Sequence, residues 1–106
     1  MKEIIQITTT CEKQEDAERI VAQLLSERFI ACGQISGPIR SHYRWQGENV
    51  NSLEFTLRVK TAAYLLPRIM ARIKDLHPYD VPEIIGEKVE SVHEPYADWV
   101  HAEVQE

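Results

Sequence analysis

The chain has 106 residues, 43% hydrophobic and 27% charged, with a formal net charge of −5, which suits one globular domain with a modest core spanning 1–106. The acidic balance, with a pI near 5.4, argues against a nucleic-acid partner, because phosphate recognition needs a basic face. No apolar run is long enough to cross a bilayer and Met1-Lys2-Glu3-Ile4 does not read as an export leader, so the expectation is a cytoplasmic protein with no membrane partner.

In chain order, Glu3 to Thr10 is β-branched and partly alternating, a strand pattern. Ala17, Ile20, Val21, Leu24 and Leu25 then recur at helical spacing among charged residues, predicting an amphipathic helix from Gln14 to Arg28. A second strand begins at Phe29, is interrupted by Gly37-Pro38, and resumes with clean alternation from Ile39 to Trp45. Gln46 to Asn49 is the turn, and Ser52 to Thr61 alternates again as the return strand of a long hairpin. Such a hairpin reaches beyond a small domain and leaves edges that a partner subunit would cover.

Leu65, Leu66, Ile69, Met70, Ile73 and Leu76 predict a second amphipathic helix between Ala62 and Leu76, with Pro67 confined to its first turn. A short strand follows over Glu83 to Val92, and Tyr96, Trp99 and Val100 mark a last helix with Pro95 at its start. Strand, helix, strand, strand, helix, strand, helix is the split βαβ order: an α+β, ferredoxin-like antiparallel sheet with two helices on one face plus a C-terminal helix. The other face is expected to be apolar and to need a second copy over it.

Between the second helix and the last strand lies Leu76-His77-Pro78-Tyr79-Asp80-Val81-Pro82-Glu83-Ile84. Its two prolines fix φ twice and push His77 and Val81 toward extended backbone, so the segment is a stiff corner dense in polar side chains. With Ala31-Cys32, Ser41-His42-Tyr43-Arg44-Trp45-Gln46-Gly47, Lys60-Thr61 and Tyr96-Ala97-Asp98-Trp99, these blocks resemble the CutA divalent-cation tolerance family over essentially the whole chain. The resemblance implies a ferredoxin-like fold, a tight homotrimer joined through extended hairpins, a link to metal-ion tolerance with copper foremost, and no established catalytic activity. Departures are Gly33-Gln34, Gly37-Pro38, Asp80 where the family commonly has Glu, and Thr9 where some members carry cysteine.

Cys32 and His77 are the metal candidates, since a thiolate suits copper(I) and imidazole suits copper or zinc. Asp80 could add an oxygen ligand or fix the imidazole tautomer. The plainer alternatives are a packed cysteine, a histidine that positions the corner, and an aspartate bonded to its own turn. Glu83 is paired with Lys60 in expectation. Tyr43, Trp45, Tyr79 and Trp99, together with Lys60 and Glu83, are assigned to an inter-subunit cleft, as packing or as a pocket for a small ligand. Nucleophile elbows and phosphate-cradling glycine loops are missing from the sequence, which points to binding and not catalysis.

Overall fold

The computed structural model describes residues 2–106. Four strands, β1 (Ile4–Cys11), β2 (Cys32–Trp45), β3 (Glu48–Ala62) and β4 (Ile84–Lys88), form one antiparallel sheet in the order β2-β3-β1-β4. Helices α1 (Gln14–Ser26) and α2 (Leu66–Leu76) pack on one face, and α3 (Glu94–Glu103) closes the chain. This is the ferredoxin-like arrangement that the element order predicts.

Cross-strand partners share a face, so the register sorts the sheet. Ile5, Ile7, Thr9 and Cys11 lie on the helix-covered side with Val59, Leu57, Ile35 and Ile84. There they meet Ala17, Ile20 and Leu24 of α1 and Ile69 and Ile73 of α2 in the main core. Gly33 and Gly86 sit on the same side because the helices approach closely: a Cβ on Gly33 would come 2.5 Å from Val21, and one on Gly86 2.7 Å from Leu66.

The opposite face corrects an expectation. Gln6, Thr8 and Thr10, Thr56, Arg58 and Lys60, Cys32, Gln34 and Ser36, and Glu87 occupy it, with Ile85 an exposed apolar exception, so it is largely polar. Its apolar end, at Ile4, is already covered by Ala97 and Val100 of α3. Large exposed apolar side chains gather instead on the hairpin, at Ile39, Tyr43, Trp45 and Leu53.

That hairpin is an arm. β3 pairs with β1 only as far as Phe55, and from Glu54 to Glu48 its one neighbour is β2. At the junction β2 carries one residue more than β3 between the pairs Ser36–Thr56 and Ile39–Glu54, a bulge centred on Gly37, whose φ of 139° suits glycine. The bulge moves the alternation on by one, so Ile39, Ser41, Tyr43 and Trp45 continue the face begun by Cys32, Gln34 and Ser36. The tip is a two-residue turn with positive φ at both Gln46 and Gly47, which matches the strand twist. The arm accounts for a longest dimension of 45 Å against 26 and 22 Å.

Boundaries differ locally from the sequence reading. α1 ends at Ser26 because Arg28 turns left-handed (φ 58°) and sends its guanidinium to the Glu103 carbonyl, 3.1 Å away, at the end of α3. A 3₁₀ turn over Ala63–Leu65 precedes α2, with Pro67 in the first turn as expected. β4 is the short segment Ile84–Lys88, since the chain beyond turns away to reach α3.

Candidate functional site

The corner is organised by His77. It takes the extended backbone demanded by Pro78 (φ −78°, ψ 138°) while its N–H still bonds to the Ile73 carbonyl at 2.9 Å, closing α2. The residue is 7% exposed, with Nε2 2.9 Å from the Thr10 carbonyl and 3.6 Å from Cys11 Sγ. Nδ1 accepts the Tyr79 N–H at 3.1 Å, which assigns the proton to Nε2 and makes it the donor to Thr10. Burial lowers the histidine's pKa, and this neutral tautomer uses both nitrogens inside the fold.

Tyr79 follows. Its ring centre lies 4.7 Å from that of His77, and its hydroxyl donates to Glu54 Oε2 at 2.8 Å. Burial pushes the phenol's pKa up, and the Glu54 carboxylate adds to the effect. Glu54 itself is 8% exposed at the first position of the arm. Behind them Cys11 is fully enclosed, and burial first, then Asp16, raises its thiol to about 11, so it is an inert core group at neutral pH.

Cys32 stands on the other side of the sheet. Its sulfur is 3.3 Å from the Tyr96 hydroxyl, whose pKa is pushed up by burial and by this contact. Gln34 reaches toward the same sulfur and accepts a hydrogen bond from Lys60, the cross-strand neighbour of Cys32.

The structure thus keeps the predicted ligands apart. Cys32 is opposite Lys60 and Cys11 opposite Phe55 on β3, so Cys32 and the His77 corner are separated by five strand positions, about 17 Å, and by the sheet itself. Asp80 is exposed in the bend, and the turn hydrogen bond foreseen for it is made by the His77 ring. Among the described residues no group of three or more His, Cys, Asp or Glu converges to hold a metal ion. One chain alone does not fit a copper site.

The cleft residues are equally dispersed on one copy. Tyr43 and Trp45 are at the arm tip, and Tyr43 lies ten strand positions, about 33 Å, from Lys60. Trp99 packs against Tyr96 on α3 with ring centres 5.6 Å apart. The expected Glu83–Lys60 pair does not form: Glu83 is exposed and Lys60 bonds Gln34. Two residues that sequence reasoning passed over, Cys11 and Glu54, are the ones His77 and Tyr79 contact. Strand alternation gives no signal for Glu54, because it places that residue in the solvent phase. His101 on α3 is half-buried, with its ring Nε2 2.9 Å from the Glu3 carbonyl.

A ferredoxin-like body with a protruding two-stranded arm and a histidine-braced corner places the chain among small α+β proteins of this fold. The family model described as CutA1 divalent ion tolerance protein matches residues 5–103, and this chain belongs to that family. It is 41% identical to the divalent-cation tolerance protein CutA of Thermus thermophilus over 94% of this chain and 95% of that one. The crystal structure of CutA1 from Oryza sativa superposes with a TM-score of 0.95 at 30% identity, covering 99% of this chain and 96% of the other. A protein of Archaeoglobus fulgidus described as a periplasmic divalent cation tolerance protein CutA gives 0.88 at 31% identity over 92% and 94%.

Proposed function

We propose that the chain works as a homotrimer in divalent metal-ion tolerance, by binding a metal ion and not by turnover, with copies joined through their arms. One observation carries the assembly. Ile39, Tyr43 and Trp45, 41%, 45% and 51% exposed, form an apolar row on one face of an arm that has no third strand. A two-stranded ribbon is marginal in water by itself, and a covered one is stable.

Membership of a divalent ion tolerance family supports the metal reading. Copper is the proposed ion because Cys32 offers a soft thiol that is only half-buried, on the face away from the helices. Its further ligands then come from other copies. His77 joins them only by releasing Thr10, and Asp80 only from the exposed side of its bend. Isothermal titration with copper under reducing conditions tests this: saturable uptake that Cys32→Ala weakens at unchanged sedimentation supports the site, and equal uptake by wild type and variant overturns it.

The second reading is a scaffold whose inter-subunit cleft takes a small ligand. The scatter of Tyr43, Trp45, Lys60, Tyr79, Glu83 and Trp99 favours it, since only neighbouring copies can bring these groups together. Metal affinity untouched by Cys32→Ala, with a ligand lost in Tyr79→Ala, is its signature. The proposed location is the cytoplasm; no helix among the described residues is long and apolar enough to cross a membrane.

A further inference from the structure

Beyond Phe55 the sheet no longer dictates where the arm points. Residues 39–54 pair only with one another across β2 and β3, and a two-stranded ribbon twists and bends easily about its base. The bulge at Gly37 sits at that base and adds a further bend. Side-chain hydrogen bonds along the arm are internal: Arg40 to Asn51, Tyr43 with Ser52, and Arg44 to Asn49 and to the Gly47 carbonyl. Among the described residues, one side-chain hydrogen bond ties this segment to the rest of the chain, from the Tyr79 hydroxyl to Glu54 Oε2 at 2.8 Å.

Everything behind that bond is braced. Tyr79 is held through its backbone N–H and its ring by His77, and His77 is anchored to the end of β1 through Thr10. Pro78 and Pro82 stiffen the backbone on either side. Glu54 is 8% exposed and makes no ion pair among the described residues, so a neutral phenol is the group that compensates a nearly buried carboxylate. Burying an acidic side chain at the root of an arm contributes little to packing, but it fixes a direction.

We infer that Tyr79 and Glu54 form a latch that sets the arm's angle and order relative to the body. The latch regulates the surface through which copies are proposed to join, and to that extent it deepens the trimer reading. Its own evidence is the Tyr79–Glu54 hydrogen bond at the root of an arm that pairs only with itself.

The test is hydrogen exchange on the intact protein. Tyr79→Phe removes the hydroxyl and leaves the ring on His77. The latch predicts that amides of residues 39–53 exchange about tenfold faster or more, the effect of one hydrogen bond to a charged group, while β1 and β4 keep their protection. Glu54→Leu should do the same, and Glu54→Gln, whose carbonyl still accepts the phenol, should stay near wild type. Unchanged arm exchange in Tyr79→Phe overturns the proposal. So does an equal rise through β1 and β4, which would mean general destabilisation. Sedimentation of the same samples separates the two ideas: a single-chain wild type overturns the trimer reading while the exchange comparison still decides the latch.

Discussion

Arg72 on α2 grips Glu27, the residue that closes α1, through hydrogen bonds of 2.7, 2.9 and 3.1 Å. A planar guanidinium matched to a carboxylate fixes both distance and rotation, so the pair clamps the C-terminal end of α1 to the middle of α2. Gln23 donates to the same carboxylate, and Gln105 donates to the Glu27 carbonyl, drawing the C-terminal residues into the same knot.

A pH dependence follows. The hydrogen bonds from Arg72, then from Gln23, hold the Glu27 carboxyl at about 2, against an ordinary value of 4.5. A depressed folded pKa means that the stabilisation is fully present above the unfolded value and is lost as pH falls from about 4.5 toward about 2. Glu27→Gln should therefore lower Tm at pH 7, and the gap to wild type should narrow progressively through that acid window. A gap that stays constant from pH 7 to pH 2.5 would show that the carboxylate's charge is not what Arg72 uses.

The two thiols should behave oppositely. Cys11 is enclosed and its pKa is raised to about 11, so the thiolate that would attack a disulfide reagent is scarce and out of reach. In Cys32→Ala, Ellman's reagent at pH 8 should find no fast-reacting thiol until denaturant is added, and then one per chain. Fast labelling of native Cys32→Ala would contradict the placement of Cys11.

Close approach of the helices gives a ranked pair of substitutions. A Cβ at Gly33 meets the Val21 Cγ2 at 2.5 Å, and valine is stiff at χ1, so either α1 or the strand must move. At Gly86 the neighbour is the far end of Leu66, which can rotate. Gly33→Ala should cost about 1–3 kcal/mol by overpacking, and Gly86→Ala less. Chemical denaturation measures both, and the reverse order would contradict the packing.

Much of this architecture is legible in the residues, because both helices carry unbroken 3.6-residue periodicity and the hairpin strands alternate cleanly on either side of Gly37-Pro38. The helix-covered face is legible for the same reason. What alternation conceals is which charged residue becomes buried where a strand outruns its neighbour: Glu54 reads as solvent-facing until Tyr79 is folded over it. The polar character of the sheet's open face is hidden too. Gln6, Thr8, Arg58 and Lys60 occupy single alternate positions within strands, and only the register gathers them. Cys32 and His77 share the chemistry of metal ligands in sequence, yet the sheet stands between them, and distance across a sheet leaves no mark on sequence spacing.

If arms join copies of this chain, sedimentation equilibrium at low micromolar concentration will find one species with three times the 12.3 kDa chain mass, which Trp45→Ser combined with Ile39→Asp shifts toward single chains. A wild-type protein sedimenting as one folded 12.3 kDa chain would contradict that assembly.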